Sequence, residues 1–354
     1  MTRTPEAPSP DWVEPLTPVP SPRSVRSRLA AFQVPDRRRS IWQVTSTGAL
    51  YLALLAVMYA MPWDIAWLGL GLAVPAASMV VRLFIIQHDC GHGSFFRSKR
   101  ANDILGWCCS LATFTPYANW RYQHAHHHAV WNNLDRRNSG TDIYSGCLTV
   151  AEYCALPPFR RLVYRVSMHP LVALLILPPL IFLVLFRWPF DTPCRSNRER
   201  LSVWVTNFAL LAVYGGLAVI LGFWSMLMVH LSVMVIASIV GVWMFSIQHR
   251  FEHAMWDRQD SWTPSGAALQ GSSHLRLPRI LHWFTGNIGF HHLHHLAPRI
   301  PNYRLVACQA ACEPLLPTSN SLSVWQAMRA YRFTLWDEER KRMVGFRDID
   351  APCA

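Results

Sequence analysis

The stretch IAWLGLGLAVPAASMVVRLFIIQHDCGH, residues 65–92, joins an apolar run directly to a pair of histidines. The run at residues 65–87 contains one charged side chain, Arg82. As a helix it would extend about 33 Å, which is enough to cross the hydrocarbon core of a bilayer. His88 and His92 follow at a spacing of four, so they share one face if the helix continues. The stretch therefore predicts a membrane span that carries two imidazoles at its end.

Three further apolar runs are long enough to cross. Residues 41–63 precede the first stretch, and residues 201–223 and 225–247 follow later in the chain. The short connections within each pair of runs contain no Lys or Arg, whereas arginines such as Arg37, Arg38 and Arg39 flank the outer ends. Because Lys and Arg mark cytoplasmic loops, the runs predict two helical hairpins with both termini cytoplasmic. The ends of the second and fourth spans then lie on the same face of the membrane.

Two other apolar segments do not read as simple spans. Residues 171–186 contain Pro178 and Pro179 and have arginines on both flanks, which favours a re-entrant or interfacial segment that returns to the same side. Residues 104–114 are too few to cross and are expected to lie in the interface. The predicted fold class is an all-α integral membrane protein, with four transmembrane helices, re-entrant or interfacial helices and a cytoplasmic histidine-rich cap.

Composition supports a membrane protein. Apolar residues make up 51% of the 354 residues and charged residues only 15%, although the net charge is +12. The arginines flank apolar runs, so we interpret them as topology markers and contacts with anionic lipid rather than as a nucleic-acid surface. The chain divides into a Pro- and Arg-rich cytoplasmic leader at residues 1–40, expected to be disordered, a membrane domain at residues 41–305, and a cytoplasmic tail at residues 306–354, expected to be helical.

Two further histidine clusters repeat one spacing. Each contains a single HxxHH pattern, and spacings of three and four place its three imidazoles on one side of a helix. The pattern selects His124, His127 and His128 in the second cluster and His291, His294 and His295 in the third. His126 and His292 then point elsewhere. Eight imidazoles, with no CxxC pair of cysteines in the chain, fit a two-metal centre better than a single structural zinc site.

Residue His249 is a ninth candidate ligand, because it lies where the fourth span ends, as His88 does at the end of the second. His253 follows at i+4 as an alternative ligand or a supporting group. The remaining histidines, His169, His230, His274 and His282, are expected to be structural.

Carboxylates near the clusters could accept hydrogen bonds from ligand imidazoles and so fix their tautomers. Asp89 stands inside the first cluster, and Asp135, Asp142 and Glu252 are further candidates. A solvated carboxylate or an arginine partner is an equal alternative for the last three. No GxSxG or similar nucleophile motif appears. A histidine-bound metal pair above four spans therefore indicates redox chemistry on a substrate whose tail comes from the bilayer.

The residues resemble the membrane fatty acid desaturase family, in particular bacterial acyl-lipid desaturases of the Δ12 or ω-6 type. The resemblance covers residues 39–305. It rests on IIQHDCGHGSFF at residues 85–96, NLDRR at 133–137, QHRFE at 248–252 and GNIGF at 286–290, together with the order of the three clusters.

This resemblance implies a di-iron centre, O₂ as oxidant, and removal of two hydrogens from an acyl chain to leave a cis double bond. It assigns the eight histidines of the three clusters as iron ligands and places His249 where a further ligand is supplied. The HxxxH spacing of the first cluster favours an acyl group esterified in a membrane lipid. No cytochrome b5 signature is present, so electrons are expected from a separate, ferredoxin-like donor. Trp131 departs from the family pattern and is expected to affect substrate fit.

Two other functions share some of these features. A hydroxylase or ketolase of the same superfamily, acting on an alkane or carotenoid, would use the same histidine clusters. A histidine-rich metal transporter would need ionisable residues within the spans. Arg82 and His230 are the only clear ones in the apolar runs, and the clustered histidines lie at or beyond the span ends, which disfavours this function.

Overall fold

The structure, a computed structural model, describes residues 22–62, 66–137, 146–190, 197–313, 316 and 320–349. Its helices are α1 (Pro22–Phe32), α2 (Arg37–Ala60), α3 (Ala66–Gly91), α4 (Lys99–Thr113), α5 (Tyr117–Val130), α6 (Val150–Ala155), α7 (Pro158–Ser167), α8 (Leu177–Leu183), α9 (Asn197–Leu221), α10 (Phe223–His249), α11 (Pro264–Gln270), α12 (Arg279–Phe284), α13 (His291–Leu296), α14 (Leu305–Cys312) and α15 (Val324–Arg329). The strands are β1 (Leu148–Thr149), β2 (His274–Arg276), β3 (Ser321–Ser323), β4 (Leu335–Asp337) and β5 (Arg342–Val344).

Four of the described helices are long and apolar enough to cross a membrane: α2, the Gly71–Gly91 part of α3, α9 and α10. The predicted fold class, an all-α membrane protein with four spans, is confirmed. Helix extends beyond the apolar runs where the sequence stabilises its ends. Asp36 caps α2 by accepting hydrogen bonds from the backbone N–H groups of Arg38 and Arg39, and α10 continues to His249.

Helix α3 is the centre of the bundle and packs against α2, α4 and α10, while α9 packs against α10 and α5. The most apolar window of α3 is 67% buried within the protein, against 17% for α9. Large apolar side chains such as Leu52, Phe208 and Val219 remain exposed on the outer faces of the spans. An apolar surface of this extent requires lipid around it.

The α9–α10 hairpin turns on one residue. Gly222 has φ of +88°, a conformation in which a side chain would be strained, and it separates the last residue of α9 from the first of α10. The two helices are therefore antiparallel and closely connected, as the sequence predicts.

The predicted break in the apolar segment at residues 171–186 lies earlier than expected. Helix α7 and the helical segment Leu171–Arg187 meet at an angle of 57°, with His169 and Pro170 between them. A π-helical turn at Leu171–Ile176 then leads into α8. Pro178 and Pro179 lie in the first turn of α8. The first turn of a helix tolerates proline, because its backbone N–H groups have no intrahelical acceptor. The segment is bent, but by the residues before the proline pair.

Leader and tail both contain described structure. Part of the predicted leader forms α1, whose Leu29 is buried against Leu293 and Cys308; residues 1–21 lie outside the described residues. The tail contains helices α14 and α15 and also strands β3, β4 and β5, so its described part is not purely helical. Strand β4 pairs in parallel with β1 and antiparallel with β5, and β3 pairs in parallel with β2. We call α5, residues 146–156 and the described residues between 250 and 349 the cap.

Candidate metal centre

Nine imidazoles converge between the ends of the spans and the cap. Each of the nine places its Nε2 atom within 3.3 Å of the Nε2 atom of another, and the shortest of these distances is 2.9 Å, between His291 and His249. The nine residues are His88, His92, His124, His127, His128, His249, His291, His294 and His295. The structure thus brings together all nine candidate ligands that the sequence analysis selected.

Local structure explains the convergence. His88 lies in the last turn of α3 and His249 is the last residue of α10. Helix α5 supplies the three imidazoles of the second cluster, and α13 supplies those of the third. The i, i+3, i+4 spacing therefore presents each set of three to the same point, as the sequence predicts.

The nine form two groups. His88, His92, His124, His128 and His294 have ligand atoms within 4.8 Å of one another, and so do His127, His249 and His295. His291 joins the second group, because its Nε2 atom lies 2.9 Å from that of His249 and 3.2 Å from that of His295. We call the five-histidine set the first group and the four-histidine set the second group. The second and third clusters each contribute to both groups.

The electrostatic environment favours neutral imidazoles. Burial, reinforced by the neighbouring imidazoles, holds the pKa values of His124, His128 and His294 in the first group well below their usual range. The pKa values of His291 and His295 in the second group are lowered for the same reasons. Neutral imidazole is the form that binds a metal ion.

Of the described candidate supporting residues, one touches the centre and three do not. Asp89 places Oδ1 3.2 Å from Nδ1 of His88. Glu252 instead forms an ion pair with Arg342, and the side chain of His253 is exposed. Asp135 is bound by Arg258 at 2.7 Å, and Asp142 lies outside the described residues. The supporting role is thus compatible with the geometry for Asp89 alone among the described members of this set.

Other histidines lie away from the nine converging nitrogens. His126 is half-buried on another face of α5, and Nε2 of His292 lies 3.0 Å from Oε1 of Gln309. His230 packs against the ring of Tyr214, and His169 is exposed at the bend before the π-helical turn.

The donor set fits metal ions. A hydrogen bond between two imidazoles needs one protonated and one bare nitrogen, so nine Nε2 atoms at these separations cannot all satisfy one another. A cation within each group would satisfy them together. Imidazole is a ligand that iron accepts, and nine ligands in two groups exceed the four of a single structural zinc site.

Comparison with known proteins decides the family. The family described as fatty acid desaturase matches residues 63–326 of the chain. The chain belongs to the fatty acid desaturase family. It is therefore an oxidoreductase, and the resemblance recognised in the sequence is confirmed.

Curated relatives of this desaturase include a fatty acid desaturase of Bacillus subtilis (strain 168), which is 37% identical over 92% of this chain and 91% of the relative. An sn-1 oleoyl-lipid 12-desaturase of Synechocystis sp. is 25% identical over 83% of this chain and 85% of the relative. A chloroplastic omega-6 fatty acid desaturase of Arabidopsis thaliana is 28% identical over 80% of this chain but only 60% of its own length.

An apolar cavity of about 140 Å³ adjoins the centre of the desaturase. His88, His124, His127 and His291 form one end, and the walls come from α3, α10 and the segment that carries Phe182, Phe186 and Phe190. A comparable cavity lined by apolar side chains stays dry and accepts a hydrocarbon ligand. The lining therefore suits an aliphatic chain better than a polar molecule.

Two tryptophans beside the centre have different positions. Trp120 stacks on His124, with ring centroids 4.7 Å apart, and lines the cavity. Trp131 lies outside the cavity lining; its ring centroid is 3.9 Å from that of His249, and its Nε1 donates to the carbonyl oxygen of Gly271. Trp131 thus lies against an imidazole of the second group rather than in the cavity lining, and its effect on substrate fit stays a prediction. Trp120, four residues before His124, shares its helix face, and that spacing could have identified it.

Proposed function

We propose that this desaturase binds two iron ions, one in each histidine group, and uses O₂ to introduce a cis double bond into an acyl chain of a membrane lipid. The convergence of nine Nε2 atoms at the end of an apolar cavity carries the proposal. His88, His92, His124, His128 and His294 would hold one iron ion, and His127, His249, His291 and His295 the other. Bound iron supplies the redox chemistry for O₂ reduction and hydrogen removal from an unactivated methylene.

The overall reaction needs electrons from outside the chain. Each turnover converts –CH₂–CH₂– and O₂, with two electrons and two protons, into –CH=CH– and two molecules of water. We propose that a separate, ferredoxin-like donor supplies the electrons. The protein's own residues bind and orient: the cavity walls hold the acyl chain, and the imidazoles at its end face the methylenes to be oxidised.

Relatives support an acyl group carried on a lipid. The Synechocystis relative is named as a desaturase of an oleoyl lipid, and the cavity here runs between α3 and α10. A chain that enters from the bilayer would reach the imidazoles without crossing water. We further propose a bacterial inner-membrane location with both termini and the metal centre on the cytoplasmic side.

Expression in a bacterial host whose lipids contain only saturated and monounsaturated chains tests the reaction. Gas chromatography of the fatty acids should show a product with one additional double bond that is absent from the empty-vector control. A hydroxy fatty acid in its place would support the hydroxylase alternative. Iron analysis of the purified protein should give about two ions per chain, and full occupancy by zinc with no activity after iron loading would contradict the proposal.

Labelling of an inserted epitope tests the topology. An epitope between Met61 and Pro62 should be labelled from outside intact spheroplasts, because the two basic flanks of the α2–α3 hairpin are assigned to the cytoplasm. Labelling only after lysis would overturn the orientation.

Filling the cavity tests how the substrate binds. Gly241 of α10 lines the cavity and has open space where a Cβ would stand. Gly241→Phe should lower product formation at least about 10-fold while iron content stays unchanged, because the ring occupies the space of the acyl chain. Gly215→Phe is the matched control: Gly215 of α9 has the same open space but does not line the cavity. Equal activity of the two variants would show that this cavity does not hold the substrate.

A further inference from the structure

A buried asparagine, Asn302, lies directly behind the His88–Asp89 pair. It begins the short turn Asn302–Arg304 after the third histidine cluster, and it is 1% exposed. Its backbone N–H and its Nδ2 both donate to Oδ2 of Asp89, at 2.7 Å and 2.8 Å. Asp89 and Asn302 are 213 residues apart in the chain, so this contact joins the first cluster to the segment that follows the third.

The other polar atoms of Asn302 are also occupied. Nε2 of Gln43 in α2 donates to its Oδ1 at 2.9 Å, and Nδ2 of Asn287 donates to its carbonyl oxygen at 3.2 Å. The residue is thus held from α2 on one side and from the turn before α13 on the other. Movement of Asn302 would leave at least one of these buried groups unpaired, so the contacts hold the residue in place.

This arrangement fixes the direction of the Asp89 carboxylate. Two donors from one residue bind Oδ2, so rotation of the carboxylate would break both hydrogen bonds. Oδ1 is left facing Nδ1 of His88 at 3.2 Å. When Nδ1 donates that hydrogen bond, Nε2 is the bare nitrogen, and it lies 3.0 Å from Nε2 of His294 in the first group.

We infer that Asn302 is a positioning residue for the first metal site, acting on His88 through the Asp89 carboxylate. The inference rests on the proposed ligation of iron by the first group. Asn302 touches neither the cavity nor an imidazole of the two groups; its effect is to hold one ligand in the orientation and tautomer that binds a cation. It also makes the first site depend on the correct placement of the segment after α13.

The rate at which iron leaves the purified protein tests this role apart from catalysis. Wild type, Asn302→Ala, Asp89→Ala and the double variant are loaded with iron, and iron loss to a chelator is followed over time. Partners of metal-bound imidazoles affect metal affinity by about 10- to 100-fold. We expect Asn302→Ala to lose the iron of one site about 10-fold faster than wild type, and Asp89→Ala to lose it faster still. The double variant should match Asp89→Ala, because Asn302 acts through Asp89.

Asn102 provides the matched control. It is 2% exposed and makes two hydrogen bonds to the backbone of Phe96, after the first cluster, but contacts neither Asp89 nor an imidazole of the two groups. Asn102→Ala should lower thermal stability as Asn302→Ala does, yet change iron loss less than about twofold. Asn302→Ser, whose side chain ends one bond short of the amide nitrogen, is measured in parallel as a smaller perturbation of packing. It should behave as Asn302→Ala does.

Several results would overturn the inference. Wild-type iron retention in Asn302→Ala or Asn302→Ser is one, and independent effects that multiply in the double variant are another. Equal acceleration of iron loss by Asn102→Ala would assign the effect to general loosening of the fold. A wild-type protein that binds no iron would instead contradict the proposed function, so the two failures are distinguishable.

Discussion

The two histidine groups differ in what lies behind their imidazoles. Behind His88 of the first group is the carboxylate of Asp89, held in place by two hydrogen bonds from Asn302. Behind His249 of the second group are the backbone carbonyl of Gly271, the hydroxyl of Ser272 at 3.5 Å from Nδ1, and the indole of Trp131. A carboxylate raises the basicity of the imidazole it binds more than a hydroxyl does. The two proposed metal positions therefore have different support, and the first is expected to hold its cation more firmly.

The largest expected loss of product formation follows the removal of one histidine ligand from either group. His294→Ala in the first group and His127→Ala in the second should each lower product formation by at least about 100-fold, because both sites are needed for the reaction. Gas chromatography of lipids from expressing cells measures the loss, and iron analysis shows whether the iron content per chain falls. His253→Ala is the control, since that side chain is exposed four residues after His249. Wild-type turnover in either ligand variant would disprove the assignment of that histidine.

The next largest effect is expected from the residues behind His88 and His249, which allow the two groups to be compared directly. Asp89→Asn should reduce iron affinity and activity by about 10- to 100-fold, because the amide keeps only one acceptor oxygen and cannot accept from both His88 and Asn302. Ser272→Ala, at a residue that is equally buried, should change both by less than about threefold, because a contact of 3.5 Å is at the limit of a hydrogen bond. Iron content and product formation are measured for both variants. Similar losses would show that the groups are supported equally.

The sequence identifies the candidate histidine ligands better than it identifies the residues that hold them in place. Spacings of three and four select His124, His127 and His128 without tertiary information, because a helix alone determines which side chains share a face. The same rule cannot find Asn302, since its partner is 213 residues away. Nor does it choose between His249 and His253, which share a helix face only if α10 continues; the structure ends α10 at His249.

Fold prediction shows the same division. Apolar runs identify the four spans because lipid imposes one length and one composition on each. The small sheets of the cap pair strands distant in sequence, such as β1 with β4, and each strand has only two or three residues. Such short strands contain too few residues to show the alternation of apolar and polar side chains that predicts a strand. The tail at residues 306–354 is therefore expected from the sequence to be helical. Pro178 and Pro179 predict a break in this segment, but the bend lies at residues 168–170, before the π-helical turn Leu171–Ile176.

The smallest expected effect concerns an imidazole outside both groups. His274 in β2 stacks on Phe290, the residue before His291, with ring centroids 4.4 Å apart. Burial, and then the charges of His282 and Arg276, lower the pKa of His274 to about 4. The unfolded chain takes up this proton below pH ~6.5 and the folded protein does not. The contribution to the free energy of unfolding is therefore complete above pH ~6.5 and is lost as the pH falls towards 4.

Replacing His274 measures how much this imidazole contributes to the loss of folding stability at low pH. His274→Phe retains the stacked ring but has no group to protonate, so it should lose about 1 kcal/mol less stability than wild type between pH 7.5 and 5, after allowance for the partial exposure of His274. Unfolding midpoints of the metal-free protein in detergent measure the difference, because the nine imidazoles of the two groups contribute equally to both proteins. If the two proteins lose stability in parallel, His274 is protonated as readily in the folded cap as in the unfolded chain. The acid sensitivity would then belong to the imidazoles of the metal centre.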